Sequence, residues 1–450
     1  MSAHPHSTPA PGTRRVAVIG AGISGLAAAR ALQAHAQVTL FEAGHYFGGH
    51  AHTVDLTLDG VTHGVDTGFL VFNHRTYPRL LKLFADLQVD TAPSDMSFSV
   101  QVPSSGLEWA GTNLNSVFAQ RRNLLSPRFL GMLADILRFN RLATALALAE
   151  ERGEPALALE EPIGDFLDRE GFGPRFREGY LLPMVGCIWS CPTEQMLRFP
   201  IATLVRFCHN HGLIQVSDRP QWHTVRGGSR EYVKKIVAGL HDARLNTPVQ
   251  SVRRLPGHTG PAGVVVLTAQ GAERFDEVVM ACHSDQALAL LHDASPAERS
   301  LLGAIRYQAN EAVLHTDTGV LPRRELAWAA WNYERAAEDG REQARVCLHY
   351  LINRLQPLPW QRPVIVSLNP ARPIAADRVV QRFEYAHPVF DGAAIAAQRR
   401  LHTLQGRDGL WFCGAWTRYG FHEDGLMSGE QVAQDLLAQW AQQPTAVAAA

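Results

Sequence analysis

Val16-Ala17-Val18-Ile19-Gly20-Ala21-Gly22-Ile23-Ser24-Gly25-Leu26-Ala27-Ala28-Ala29-Arg30-Ala31-Leu32 carries the strongest structural signal in the chain. Four apolar residues behind Arg14 and Arg15 suit a short strand buried on both faces. The alanine-rich run after Gly25 suits a helix. Between them, Gly20 permits a tight turn, Gly22 lets the backbone approach a pyrophosphate, and Gly25 lets helix and strand pack closely. Free N–H groups at the helix start then face the phosphates. A second strand, Val38-Thr39-Leu40-Phe41, ends at Glu42, at the spacing where a carboxylate grips ribose hydroxyls. Strand, glycines, helix, strand and acid in this order predict a dinucleotide-binding unit. Its candidate contacts are Gly20, Gly22, Ile23, Ser24, Gly25, Glu42 and Ala43.

This unit serves NAD and FAD alike, so the choice rests on the residues beyond Ala43. Gly48-Gly49-His50 comes after a short loop, with Thr53 close behind. It resembles the Gly-Gly-Arg-x-x-Thr element of the amine oxidase and phytoene desaturase superfamily of flavoproteins, with His50 in place of arginine. The resemblance implies FAD, with Gly48, Gly49, His50 and Thr53 along the pyrophosphate and Gly68 and Phe69 near the flavin ring. Near the other end of the chain, the strand Leu410–Cys413 and Gly414 lead through the loop Trp416–Asp424 to Gly425-Leu426-Met427-Ser428-Gly429 and a helix over Glu430–Trp440. This run is similar to the C-terminal flavin-binding element of the superfamily. There, the helix N-terminus faces the flavin pyrimidine edge and stabilises charge that builds up on reduction. Gly414, Gly425, Leu426 and Ser428 are the corresponding candidates, and Val249 matches a valine that packs by the adenine. The fold expected is α/β: a Rossmann-like FAD-binding domain of the GR2 flavoprotein type carrying an inserted α+β substrate domain.

Three separated segments, 14–75, 216–295 and 407–441, are assigned to the FAD-binding domain, and 76–215 with 296–406 to the substrate domain. Residues 1–13 and 442–450 read as flexible termini. From about residue 76 the pattern is helical with long loops, and Leu80, Leu81, Leu83, Phe84 and Leu87 fit an amphipathic helix. The segment Leu124–Leu148 supports two readings. It is a core helix of the substrate domain, or a basic amphipathic element resting on anionic lipid. Leu70–Asn73 reads as a strand, Thr247–Val252 and Gly263–Thr268 as a strand pair, and Glu311–Thr316 and Arg345–Leu351 as strands of an antiparallel sheet. His283 reads as a loop histidine.

Composition excludes several alternatives. The 450 residues carry a formal net charge of -1, which gives no basis for nucleic-acid binding. Cys187, Cys191, Cys208, Cys282, Cys347 and Cys413 are scattered, which argues against a disulfide framework or a zinc site, and no metal is expected. No apolar run spans a bilayer and the first residues lack a signal-peptide core, so a cytoplasmic protein is expected, with peripheral contact at the inner membrane as a variant. No nucleophile elbow, Walker loop or His-Glu-x-x-His helix is present, as expected where a flavin does the chemistry. No cysteine occupies the position just before the C-terminal helix where the resemblance to the superfamily would place a thiol link, so non-covalent flavin is expected.

Trp416, Tyr419 and His422 are the substrate-facing candidates. In amine oxidases this loop supplies part of an aromatic cage, and His422 stands near the usual cage aromatic. Within the superfamily, GGHAHTVD (48–55), DTGFLVFN (66–73), RTYPRLLKLF (75–84) and FCGAWTRYGFHEDGLMSG (412–429) resemble a bacterial group of amine oxidase-like flavoproteins associated with cyclopropane and furan fatty acid synthesis. That resemblance implies dehydrogenation of an apolar substrate, such as an unsaturated or methylated fatty acyl chain. An amine oxidase using O2, and a flavoprotein with structural FAD, are the alternatives.

Overall fold

The computed structural model describes residues 14–153, 161–189, 196–215, 219–255, 263–335 and 346–442. The opening motif forms the expected strand β1 (Arg15–Ile19), helix α1 (Ile23–Leu32) and strand β2 (Gln37–Phe41). Among the described residues, β1 lies at the centre of five parallel strands in the order Asp242–Arg244, β2, β1, Glu277–Met280 and Leu410–Phe412. Strands from three distant parts of the chain therefore complete one sheet.

Alternate residues of β1 serve different cores, because side chains of a strand point to opposite faces. Val16 and Val18 face α1, the helix Arg230–Ala238 and the C-terminal helix His422–Gln442. Ala17 and Ile19 face the antiparallel strands Val249–Leu255, Gly263–Thr268 and Gly271–Phe275 and the helices Ser284–Leu290 and Pro296–Leu302. The first of these cores continues without a break into Phe139, Phe166, Phe176, Leu348 and Val366. The second half of the molecule is built on the same apolar interior as the first.

That second half holds a seven-stranded sheet in the order Val379–Val389, Arg306–His315, Ile365–Leu368, Cys347–Leu351, Trp331–Glu334, Phe98–Val102 and Leu107–Ala110. Its neighbours pair antiparallel except Trp331–Glu334 with Phe98–Val102, which pair parallel. The two strands at 98–110 fall where the sequence reads as helix and loop. The polar residues Ser99, Gln101 and Glu108 are all buried there, which hides the alternation of a half-exposed strand. Leu70–Asn73 is strand only at Phe72–Asn73, paired with Trp222 and His223. No described helix is long and apolar enough to cross a membrane.

The C-terminal helix differs from expectation in a consequential way. It begins at His422, so Gly425 and Gly429 lie inside it. A Cβ on Gly429 would stand 2.1 Å from the Ser24 carbonyl oxygen, and one on Gly425 would stand 2.8 Å from Ile23 Cγ2. The two glycines let this helix lie directly on the backbone of α1. Gly25 does the same on the other side, where a Cβ would be 1.9 Å from the Gly20 oxygen.

Gly429→Ala should therefore cost roughly 1–3 kcal/mol by overpacking, read from urea denaturation. Gly22→Ala, whose added methyl meets nothing within 4 Å, should leave the unfolding midpoint nearly unchanged.

Candidate active site

The first turn forms an anion cradle. Gly20 has φ +105 and its N–H donates to Phe41 O at 2.8 Å, fixing the turn against β2. Gly22 caps α1 without any side-chain hydrogen bond, and the space a Cβ would fill is open. Ile23, Ser24 and Gly25 thus begin a helix whose N–H groups have no intrahelical acceptor. Glu42 closes the cradle from the end of β2. One carboxylate oxygen accepts the Ala21 N–H at 2.8 Å and the other the Gly44 N–H at 2.7 Å. Ala43 beside it is exposed. Thr247 N–H donates to Glu42 O at 2.8 Å and leads Val249, half-buried, into the same neighbourhood.

The Gly48-Gly49 step is built against this turn. Gly48 pairs with Gly22 in a parallel bridge, its N–H donating to Ala21 O at 2.9 Å. Both glycines have positive φ, and a Cβ on Gly49 would meet Gly22 Cα at 3.1 Å. This delivers His50 into the interior with Nε2 buried and without a hydrogen-bond partner. Its ring lies 5.0 Å from Tyr385 and 5.3 Å from His387. Burial, and after it the electrostatic influence of His387, His283, His422 and His52, hold the His50 imidazole neutral, well below the ordinary range. Burial likewise lowers His387 to about 4 and His422 to about 3. His283, stacked on Tyr307 at 4.3 Å, caps the helix Ser284–Leu290. In the sequence these histidines are scattered residues; no spacing signal connects positions 50, 283, 387 and 422.

Thr53, a candidate for the pyrophosphate, takes part in a different device. Its hydroxyl donates to Asp66 Oδ1 at 2.6 Å and accepts the Arg230 N–H at 3.0 Å. Buried Asp66 also accepts the Ser229 N–H and hydroxyl at 2.9 and 2.8 Å and Gln356 Nε2 at 2.8 Å. Burial pushes its carboxyl up to about 6 despite these donors. Asp66 thus clasps Thr53 at the start of the strand after the Gly-Gly loop, the turn at Gly227–Ser229 and a residue of the second half of the molecule. Two residues on, Gly68 is required because a Cβ would lie 2.3 Å from His50 O, to which Phe69 N–H donates at 2.6 Å.

Phe69 stacks on His422 with centroids 3.9 Å apart and planes at 12°, and Tyr232 OH lies 2.7 Å from His422 Nε2. With the buried phenol donating, the ring proton sits on Nδ1. Because the helix starts at His422, its free N–H groups belong to the turn before Gly425. Gly425 N–H already donates to Phe421 O, Leu426 is core, and Ser428 Oγ accepts the Gly414 N–H at 3.1 Å. The positive end of the helix dipole is accordingly at His422–Asp424 rather than at Gly425–Ser428. Trp416 is 2% exposed, with its indole N–H donating to Cys282 O, and packs in the core instead of facing a cavity. Tyr419 is half-buried at the wall of two cavities and accepts a hydrogen bond from Arg206 Nη1 at 2.9 Å.

Cys187, Cys208, Cys282, Cys347 and Cys413 are unbridged, and Cys191 lies outside the described residues. Glu334, Cys347 and His349 place ligand-type atoms within 4.8 Å of one another in the antiparallel sheet. Arg372, with Nε 2.9 Å from Glu334 Oε1 and Nη2 3.1 Å from Oε2, already balances that carboxylate.

The cradle at Gly22, the uncapped α1 terminus, the Glu42 carboxylate and the unpartnered His50 Nε2 fit a flavin dinucleotide. Glu42 would hold the ribose and His50 would face the pyrophosphate. A bound dianion favours the protonated form of imidazoles whose free values lie well below the ordinary range, His387 at about 4, so FAD should bind more tightly as pH falls from about 6 toward about 4. Titration of apoprotein by flavin fluorescence should show this slope, with His50→Ala weakening binding about tenfold and lessening the slope. Asp66→Ala should lower stability by about 1–3 kcal/mol, measured by denaturation of the apoprotein.

No curated protein matches the chain in sequence. In fold it is similar to a redesigned putrescine oxidase, at 17% identity and TM-score 0.67 over 95% of this chain and 99% of that one. It is similar to a CLA-producing fatty acid isomerase from P. acnes, at 15% identity and TM-score 0.65 over 96% and 100%. Cyclohexylamine oxidase from Brevibacterium oxydans IH-35A matches at 16% identity and TM-score 0.66, again over 96% and 100%. The sequence pattern of the family described as flavin containing amine oxidoreductase matches residues 23–347. The chain belongs to that family and is an FAD-dependent oxidoreductase.

Proposed function

We propose that this enzyme dehydrogenates an apolar substrate carrying an anionic head, such as an unsaturated or methylated fatty acyl chain. The observation that carries this reading is the chemistry of the cleft beside the loop before the C-terminal helix. A cavity of about 700 Å³ opens there, with Trp189, Pro200, Ala202, Phe390 and Ile395 as apolar wall and Arg206, Arg399 and Arg418 as charged wall. A neighbouring cavity of about 430 Å³ shares Arg206 and Tyr419 with it and reaches Phe207, Phe421 and Met427.

The charges support an anionic substrate. Glu150, the acid of the larger cavity, is taken up by an ion pair with Arg206. Arg399 and Arg418 form no ion pair among the described residues. What remains is apolar surface with excess positive charge, which suits a carboxylate or phosphate head ahead of a hydrocarbon tail. Bound FAD supplies the two-electron acceptor. The protein orients the tail along the aromatic wall, and Arg399 and Arg418 anchor the head.

A second reading, oxidation of an amine, is favoured by one feature. Asp424 and Glu423 line the smaller cavity with Tyr77, Phe207 and Phe421. Both carboxylates are, however, occupied by backbone: Glu423 accepts the Arg79 and Leu80 N–H groups at 2.8 and 3.0 Å, and Asp424 accepts the Phe421 N–H at 3.0 Å. The fold is common to amine oxidases and a fatty acid isomerase and does not choose between them.

Anaerobic reduction of the FAD-loaded enzyme tests the choice. Phospholipids with monounsaturated or methylated acyl chains should bleach the flavin, while putrescine and cyclohexylamine should not. Arg418→Ala should raise the KM for the acyl substrate about tenfold, the loss of one charge-assisted hydrogen bond. Bleaching by amines alone would reverse the assignment.

A further inference from the structure

The helix Pro127–Glu151 is apolar on two sides. Its inner side carries Phe129, Met132, Phe139, Ala143 and Ala147, all buried. Its outer side carries Leu130, Ala134, Leu137, Ala145 and Leu148, all exposed, with Arg141 among them. Steps of three and four residues place these outer positions along one stripe. A solvent-facing stripe of a helix is ordinarily polar; this one is leucine and alanine with a single charge.

The stripe is continuous in sequence with a second apolar group. Leu124 and Leu125 protrude from the short turn Arg121–Leu125, Leu125 at 88% exposure, and Leu114 precedes them at 78%. Among the described residues, ten large hydrophobic side chains are exposed, and six of them are Leu114, Leu124, Leu125, Leu130, Leu137 and Leu148. Exposed apolar residues scattered singly need no explanation, but this concentration in 35 residues of a 450-residue chain does.

Charge identifies the partner. Residues 114–149 contain five arginines, at 121, 122, 128, 138 and 141, and one acid, Asp135. Asp135 is paired with Arg138, whose guanidinium also lies 3.9 Å over Phe172. Arg121, Arg122, Arg128 and Arg141 are exposed. The protein as a whole is nearly neutral, so this is a local excess of positive charge laid among exposed leucines. Leucines to enter the acyl boundary and arginines to meet headgroup phosphates are the two components of interfacial lipid binding.

We infer that this face, from Leu114 through Leu148, docks the enzyme on the surface of an anionic lipid bilayer. A second copy of the chain is a poorer occupant. Such a contact would need carboxylates for the arginines, and the nearest, Glu150 and Glu151 at the far end of the helix, face Arg206 and His209. The last turn of the docking helix places Glu150 in the wall of the larger cavity. Docking is independent of which substrate is oxidised.

The test is co-flotation of the purified FAD-loaded protein with vesicles, alongside its mass in solution. The wild type should float with vesicles rich in phosphatidylglycerol, and much less with phosphatidylcholine alone or in about 1 M salt, where charges are screened within a few ångströms. The double variant Leu125→Asp with Leu137→Asp should lose flotation while keeping its flavin content, since both side chains are exposed. Arg121→Gln with Arg122→Gln should weaken binding to anionic vesicles about fivefold per arginine removed. Absence of wild-type flotation, or flotation unchanged in the leucine variant, overturns the inference. So does a wild-type dimer that the leucine variant converts to monomer without any vesicle binding, which would assign the stripe to a second copy.

Discussion

Backbone-to-backbone packing of α1 against both its neighbours governs how the two ends of the chain come together. On one side Gly25 lets the helix descend onto the Gly20 turn, and on the other Gly429 lets the C-terminal helix touch Ser24. Any side chain at these points would force the layers apart by the width of a methyl group, and close-packed interiors do not yield that distance cheaply. Residues roughly 400 positions apart are thereby brought to one place. The uncapped terminus of α1 and the His422 end of the long helix come to face the same region.

Within that region the electrostatics rest on histidine. His50 stands where the motif it resembles has arginine, and it arrives among His52, His283, His387 and His422; burial first, and these neighbours after it, lower its basicity. Neutral rings can sit together in a buried space where several guanidinium groups could not, because unpaired buried charge is costly. Asp66 keeps the arrangement in register by holding Thr53, the turn before Arg230 and Gln356 at once. It couples the geometry of the dinucleotide site to the half of the molecule that builds the cleft.

The cleft and the outer helix show a common economy of charge. Carboxylates near the cavities are engaged by guanidinium or by backbone N–H groups, which leaves Arg399 and Arg418 to define the potential a substrate meets. On the helix Pro127–Glu151 the same imbalance recurs beside exposed leucines.

The dinucleotide fold is legible in the residues alone, because its rules are local: a strand, a turn that tolerates only glycine and a helix must come one after another within a few residues. The flavin is legible too, through Gly48-Gly49 and the run 412–429. The start of the C-terminal helix is not. Gly425 and Gly429 read as a turn when only propensity is considered, and only the neighbouring α1 reveals them as contact surfaces inside a helix. The histidine cluster, the Asp66 clasp and the burial of Trp416 were hidden for the same reason: each joins residues far apart in the chain. Both readings of Leu124–Leu148 caught part of a helix that has a buried face and an exposed apolar one, since periodicity shows which residues share a stripe but not which stripe the core covers. That choice belongs to tertiary packing, which buries one apolar face and leaves the other to whatever the protein meets.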